Sequence, residues 1–295
     1  MTWFDAVVLG IVEGLTEFLP VSSTGHLTIA EKLLGLHVND AGVTAFTAII
    51  QIGAIVATIV YFWRDIVGMV AGFARGLVSA PARQAFEWRL AWCVIVGSLP
   101  IAVVGLLFKD AIEGVLRSLW VVAAALILWS IVLVVAERHH ARLAATRPSR
   151  HSSAADEGVV RHEEDLTLRD ALVIGVVQCF SLIPGVSRSG ATISAGLLRG
   201  LDRVTATRLA FFLAMPALSA AGLLQAVSAR DDISRGVGWG NTGIGIVVSF
   251  VVAYASIAWL LRFVAHHPIT VFVWYRVAVG LGLMGALAAG WLTAT

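Results

Sequence analysis

Two glutamates in an otherwise apolar stretch are the first candidates for chemistry. Glu13 and Glu17 are four residues apart, so on a helix they share one face. Two carboxylates in apolar surroundings cannot both stay ionised unless a cation or hydrogen-bond donors neutralise them. A hard divalent cation, Mg²⁺ or Ca²⁺, bound by these oxygens together with substrate phosphate oxygens, is the simplest partner. Structural carboxylates bonded to hydroxyls or to an arginine are the alternative.

Three hydroxyls and a histidine follow these glutamates. After Pro20 the chain reads VSSTGH, which places Ser22, Ser23, Thr24 and His26 where a new helix would begin. The hydroxyls could cap that helix, and its free N–H groups would also attract an anion such as phosphate. His26 stands three residues after Ser23 and could act as general base for that hydroxyl or for a water molecule. Beside two glutamates, this set favours a catalytic histidine over a structural one.

A second polar cluster carries an arginine in place of the carboxylates. The stretch PGVSRSGAT contains Arg188, whose planar guanidinium can hold a phosphate through two parallel hydrogen bonds. Turn amides and three neighbouring hydroxyls would supply further donors; the hydroxyls belong to Ser187, Ser189 and Thr192. The cluster therefore predicts a phosphate cradle. An arginine bonded only to backbone carbonyls is the structural alternative.

The two clusters lie in copies of one segment. Asp5 to Leu36 aligns without a gap on Asp170 to Leu201, and the copies are 165 residues apart. Eight of the first twenty-one positions are identical. These are the pairs Asp5/Asp170, Ala6/Ala171, Val8/Val173, Gly10/Gly175, Val12/Val177, Val21/Val186, Ser22/Ser187 and Gly25/Gly190. Duplicated hydrophobic segments with a break are the best sequence indication of a binding site inside a membrane.

Composition supports a membrane location. Hydrophobic residues make up 58% of the chain, charged residues 14%, and the mean hydropathy is +0.87, which identifies an integral membrane protein. The net charge of +2 and the scattered basic residues exclude a nucleic-acid partner. Six apolar windows are long enough to cross a bilayer. They are 43–62, 90–108, 118–136, 209–229, 243–261 and 270–292.

The copied segments do not fit simple membrane spans. Glu13 interrupts the apolar run of the first copy early. Pro20 breaks the helix of the first copy midway, and Pro184-Gly185 breaks that of the second. Each copy is therefore predicted to be a re-entrant helix-turn-helix hairpin. Three spans separate the copies, and an odd number of crossings inverts the second copy relative to the first. We therefore predict an all-α polytopic protein with two interlocking inverted-topology repeats, six transmembrane helices and two hairpins that meet near the midplane.

This topology sets the expected boundaries and orientation. Repeat 1 covers 1–140 with its hairpin at 5–36, a polar and partly disordered cytoplasmic linker covers 141–168, and repeat 2 covers 169–295 with its hairpin at 170–201. Together they form a single integral membrane domain. One face carries most of the arginines, so the positive-inside rule places it in the cytoplasm and both termini outside. Arg276 lies at the start of the last span, where it could contact phosphate or extend to the cytoplasmic interface.

A family resemblance links both clusters. The stretches EGLTEFLPVSSTGHL and PGVSRSGATISAG are similar to the two signature regions of undecaprenyl pyrophosphate phosphatases, the bacitracin-resistance type of membrane phosphatase. The similarity extends to FTAIIQIGAIVA, AFFLAMPA and the terminal VFVWYR, so it spans the chain. One departure is Arg208, which stands where the family pattern has an acidic residue.

The resemblance implies an activity and roles for individual residues. It implies a hydrolase that removes the terminal phosphate of undecaprenyl or another polyprenyl diphosphate, recycling the carrier lipid for peptidoglycan synthesis and conferring bacitracin resistance. Glu13 and Glu17 would be metal-binding or acid/base groups and Arg188 the phosphate clamp. Ser23 would be the leading candidate for the nucleophile with His26 as its partner; His26 itself, or a water molecule that it activates, is the alternative nucleophile. The resemblance further implies a homodimer in the cytoplasmic membrane. With the predicted topology, the active site would face the exterior.

A secondary transporter or lipid flippase is the alternative, because inverted repeats with broken helices are typical of transporters. A transporter needs neither a hydroxyl near a histidine nor an arginine-bearing anion site. The roles of Ser23 and His26 therefore distinguish the two functions.

Overall fold

The chain folds into a helical bundle. A computed structural model describes residues 1–37, 40–108, 116, 118–145 and 160–294. Within these ranges the only β-type pairing is an isolated bridge between Arg161 and Leu201. The α-helices of the described ranges are numbered here in chain order: α1 Trp3–Thr16, α2 Ser23–Leu33, α3 Ala41–Tyr61, α4 Trp63–Val78, α5 Phe86–Leu107, α6 Leu119–Ala145, α7 Leu168–Gln178, α8 Arg188–Leu198, α9 Arg203–Ser228, α10 Arg230–Arg235, α11 Trp239–His266 and α12 Val271–Ala288.

The prediction of six transmembrane helices is confirmed. Helices α3, α5, α6, α9, α11 and α12 are long and apolar enough to cross a bilayer. Each coincides with one predicted window, and several extend beyond it at one or both ends. Helices α5 and α9 continue through Pro100 and Pro216 as unbroken α-helices. The chain is therefore a multi-pass membrane protein.

The duplicated segments fold into the same local structure. Each is a short helix, a turn and a second short helix: α1 and α2 in the first copy, α7 and α8 in the second. The leading helices begin at equivalent capping boxes, formed by Thr2 with Asp5 and by Thr167 with Asp170. The helix-turn-helix shape is thus present in both copies, while their re-entrant and inverted placement in a bilayer stays a prediction.

Each leading helix packs against the other half of the chain. Helix α1 lies on α11, and α7 lies on α5. Glycines permit the approach: a Cβ atom added at Gly10 would lie 2.8 Å from the Gly245 carbonyl oxygen, and one at Gly175 would lie 2.2 Å from that of Gly97. Each half therefore contributes one leading helix to the other half, while the division into interlocking inverted repeats stays a prediction.

The predicted linker is more ordered than expected where it is described. Helix α6 continues to Ala145, and the chain from 160 onward is bound to the bundle. Arg161 makes an ion pair with the buried Asp170, and its backbone N–H donates to the Gly200 carbonyl. These described parts are ordered and most of their residues are exposed, while Arg161 neutralises a buried carboxylate. The linker as a whole stays a prediction. Residues 146–159 of the predicted linker lie outside the described ranges. So do Lys109 and Arg117, two of the few basic residues that the orientation prediction assigns to the exterior face.

Arg208, the residue that departs from the family pattern, makes contacts that join separate elements of the bundle. Its guanidinium lies over the rings of Phe62 and Phe212 and makes ion pairs with Asp65 and Glu163. Burial raises the pKa of the Glu163 carboxyl, and the charge of Arg208 opposes that rise. Arg208 thus joins α9 to α4 and to the chain that precedes α7.

Candidate active site

The two polar turns are in direct contact. Ser22 Oγ accepts a hydrogen bond of 3.1 Å from the backbone N–H of Gly185. In the opposite direction, Ser189 Oγ donates to the Leu19 carbonyl at 2.9 Å. These bonds join residues more than 160 positions apart in the chain. The convergence predicted from the duplication is therefore present, and it brings the side chains of both clusters to one place.

Both turns contain a strained serine at the start of the second helix. Ser22 and Ser187 each have φ of 77°, in the left-handed region that residues other than glycine rarely occupy. Ser187 is a true N-cap, with Oγ accepting from Gly190 N at 3.1 Å. Ser22 makes no side-chain cap bond, because its hydroxyl is bonded to the other turn. Strain of this kind costs about 1–3 kcal/mol and is concentrated at functional sites.

Arg276 holds the two turns together. Its side chain is completely buried, and it donates to the carbonyls of Pro20 at 2.9 Å and Gly185 at 2.9 Å. Further bonds reach the Val186 carbonyl at 3.1 Å and Ser130 Oγ at 3.2 Å. Four of the five guanidinium donors are thus engaged within the protein. This position matches neither sequence expectation for Arg276, since its donors are directed to three backbone carbonyls and the Ser130 hydroxyl and its side chain is completely buried.

The acidic and basic clusters meet at Glu17. Arg188 makes an ion pair with Glu17 Oε1. Ser23 Oγ donates to Glu17 Oε2 at 2.6 Å, and Gln51 Nε2 lies 3.4 Å from the same oxygen. A carboxylate, a hydroxyl and a guanidinium from the two copies therefore share one small, largely buried volume. Gln51, from α3, carried no signal that sequence reasoning used.

His26 is placed differently from the prediction. Its Nδ1 lies 2.7 Å from the Ser22 carbonyl oxygen, and its Nε2 lies 2.7 Å from the hydroxyl of Tyr275, whose ring stacks on the imidazole. The partner of Ser23 is Glu17 instead. The expectation that His26 is the base for Ser23 is therefore not met in this geometry. Tyr275 was missed as a site residue because only its position beside Arg276 distinguished it.

Glu13 is one of several buried side chains in the described ranges whose polar atoms have no hydrogen-bond partner; Gln178 is another. The Glu13 side chain has no exposed surface, and the described part of the chain offers no hydrogen bond to either carboxylate oxygen. Within the same part, no group of three or more His, Cys, Asp or Glu residues could hold a metal ion. Two carboxylates such as Glu13 and Glu17 are compatible in chemistry with a hard cation, Mg²⁺ or Ca²⁺, since proteins commonly bind Mg²⁺ through one or two carboxylates plus substrate phosphates.

A cavity of about 750 Å³ opens at this cluster. Its polar lining contains five of the predicted site residues besides Glu17: Ser22, Ser23, Thr24, Ser187 and Arg188. The remainder is largely apolar and comes mainly from α5 and α9. Ser189 and Thr192 are absent from the lining and bond backbone carbonyls, with Thr192 Oγ1 donating to Arg188 O at 2.9 Å. The cavity thus joins an anion-binding end to a wall suited to a hydrocarbon chain.

The chain is similar to known proteins over its whole length. The family described as bacitracin resistance protein BacA matches residues 6–282. "Undecaprenyl-diphosphatase 3" of Frankia casuarinae is 54% identical over 295 residues, with 100% of both chains covered. "Undecaprenyl-diphosphatase" of Cutibacterium acnes is 52% identical over 301 residues, again with 100% of both covered. The protein of the same name from Corynebacterium diphtheriae is 44% identical, covering 100% of this chain and 97% of its own. The chain belongs to the bacitracin resistance protein BacA family.

Proposed function

We propose that this chain is an undecaprenyl-diphosphatase, which hydrolyses undecaprenyl diphosphate to undecaprenyl monophosphate and orthophosphate. The observation that carries the proposal is the contact of Ser23 and Arg188 with one carboxylate, Glu17, at the polar end of a largely apolar cavity. Full-length relatives carry the corresponding name at 54% and 52% identity. The monophosphate would return to peptidoglycan synthesis as carrier lipid, and its recycling would confer bacitracin resistance.

The nucleophile in this proposal is the Ser23 hydroxyl. Glu17 accepts the Ser23 proton, and Ser23 Oγ attacks the terminal phosphorus in line with the bridging oxygen. The new bond joins Ser23 Oγ to phosphorus, the bond from phosphorus to the bridging oxygen breaks, and the lipid monophosphate leaves with that electron pair. Water then hydrolyses the phosphoserine and releases orthophosphate. The alternative mechanism is direct attack by water on the terminal phosphorus, with no phosphoserine intermediate.

The charge of the diphosphate is balanced by Arg188 and by helix N-termini. The ion pair with Glu17 uses Nη2, and the guanidinium has further N–H donors for phosphate oxygens. The first turns of α2 and α8 add backbone N–H groups. A divalent cation held by Glu13 and Glu17 would supply further charge neutralisation. These groups stabilise the charge on the equatorial oxygens in the transition state.

We infer the location from the distribution of charge. The arginine-rich face would lie in the cytoplasm, which places both termini outside and directs the first hairpin, with Glu17 and Ser23, toward the exterior of the cytoplasmic membrane. The homodimer and the division into repeats at 1–140 and 169–295 remain predictions.

Phosphate release tests the proposed function. Purified protein in detergent should release orthophosphate from undecaprenyl diphosphate, and a folded Glu13→Ala/Glu17→Ala double variant should release none above background. The assay also separates an enzyme from a transporter or flippase, because a transporter would leave the substrate intact. Absence of turnover by folded wild-type protein, or full turnover by the double variant, would contradict the proposal.

Removal of divalent cations should abolish turnover. We expect excess EDTA to lower phosphate release on the order of 10²-fold or more, because Lewis-acid stabilisation of transferring phosphate is worth several kcal/mol. Mg²⁺ or Ca²⁺ should restore the rate, and calorimetric titration of either ion should detect binding that Glu13→Gln weakens. Unchanged turnover in EDTA would show that the buried carboxylates are neutralised in another way.

A further inference from the structure

We propose that Tyr275 is a positioning residue: through His26 it holds the peptide group that joins Ser22 to Ser23. The inference rests on the function proposed above. It assigns a role to the pair His26 and Tyr275, which the proposed reaction does not use. Both residues are absent from the lining of the cavity that holds Ser23 and Arg188.

The hydrogen bonds determine which ring nitrogen carries the proton. A backbone carbonyl oxygen only accepts, so the 2.7 Å contact between His26 and the Ser22 carbonyl requires a proton on Nδ1. In the neutral imidazole Nε2 is then an acceptor, and the Tyr275 hydroxyl, 2.7 Å away, is its donor. The result is a directed series of hydrogen bonds from Tyr275 through His26 to the backbone of the turn.

The Ser22 carbonyl, at the end of this series of hydrogen bonds, helps to set the position of the Ser23 side chain. It belongs to the peptide group between Ser22 and Ser23, so its orientation influences the φ angle of Ser23 and the direction of the Ser23 side chain. The same residue, Ser22, is held at φ of 77° and is bonded to Gly185 of the other turn. A strained backbone persists only where surrounding contacts determine it. His26 and Tyr275 supply one of those contacts.

The geometry favours this role over acid/base catalysis by His26. Both imidazole nitrogens are engaged, one by a carbonyl and one by a phenol. The Ser23 hydroxyl has its own acceptor, Glu17, at 2.6 Å. The stacked ring of Tyr275 also fixes the plane of the imidazole, with ring centroids 5.5 Å apart and 11° between the planes. An aromatic residue of α12, far along the chain, thereby supports the turn that carries the nucleophile.

The kinetic test is the substitution Tyr275→Phe. It removes only the hydroxyl, so we expect kcat for phosphate release to fall about tenfold, as for loss of one orienting hydrogen bond. The KM should stay within about twofold, because Tyr275 does not line the cavity. Trp274→Phe is the matched control, since Trp274 is the preceding residue and 78% exposed, and it should keep wild-type kcat.

Two substitutions of His26 separate positioning from proton transfer. The amide nitrogen of asparagine can occupy the place of Nδ1 and donate to the Ser22 carbonyl, whereas that of glutamine corresponds better to Nε2. Positioning predicts that His26→Asn retains about tenfold more kcat than His26→Gln. Acid/base catalysis predicts equal and severe losses in both, because neither carboxamide titrates. Equal losses would overturn the proposal.

Nitrogen NMR of ¹⁵N-histidine-labelled protein gives a readout that is independent of turnover. The eight histidines give several signals, and the signal missing from His26→Asn identifies His26. We expect the Nδ1–H form in the wild type and a mixture of tautomers in Tyr275→Phe. An Nε2–H form in the wild type, or unchanged kcat in Tyr275→Phe, would refute the positioning role. An inactive wild-type protein would refute the proposed function instead.

Discussion

Replacement of Ser23 by alanine is expected to lower phosphate release by about 10³-fold or more, the scale seen when an enzyme loses its nucleophile. The hydroxyl lies 2.6 Å from Glu17 Oε2, which can accept its proton, and it lines the cavity next to Arg188. Alanine removes the attacking oxygen and leaves the turn otherwise unchanged. The measurement is initial rate with undecaprenyl diphosphate, together with a search for labelled phosphoserine in rapidly quenched wild-type protein.

The matched control for Ser23→Ala is Thr28→Ala. Thr28 is on the same helix, and its hydroxyl donates to the Thr24 carbonyl at 2.9 Å, away from the cavity. This variant should keep wild-type turnover. If Ser23→Ala retained more than about a tenth of the wild-type rate, a nucleophilic serine would be excluded. Attack by water with Glu17 as base would then be the course of the reaction.

Replacement of Arg188 by lysine is expected to lower kcat/KM by about 10²–10³-fold, the scale measured for loss of one preorganised donor to transition-state charge. Lysine keeps the positive charge but lacks the planar donor set that can hold two phosphate oxygens and Glu17 at once. The ion pair between Arg188 and Glu17 also joins the two copies, so kcat should fall as well as the affinity for substrate.

Arg199→Lys is the corresponding control. Arg199 is at the other end of α8, where its Nε donates to Asp170 at 2.8 Å, and it does not line the cavity. We expect Arg199→Lys to keep near wild-type turnover. Arg188→Lys should have an unchanged melting temperature in detergent. Equal activity of Arg188→Lys and wild type would show that charge alone is needed at this position and that bidentate binding of phosphate is not.

Much of this protein follows from local sequence pattern. The six membrane helices were evident because a span requires about 20 apolar residues, and charge-free windows of that length are directly visible. The helix-turn-helix shape followed from Pro20 and from the equivalent break in the second copy. The duplication also predicted the meeting of Glu17 with Arg188, because similar broken segments predicted to be inverted relative to one another are expected to bring their turns together.

Other features were decided by contacts between distant parts of the chain. Sequence spacing places His26 within one turn of Ser23, yet the imidazole is bonded to Tyr275, and Ser23 is bonded to Glu17. Likewise Arg276 is buried between the turns. Periodicity predicts which face of a helix a residue occupies, but it contains no information on which other helix covers that face. The rotation and register of α12 against the two turns, set by packing of the whole bundle, determined the partners of His26 and Arg276.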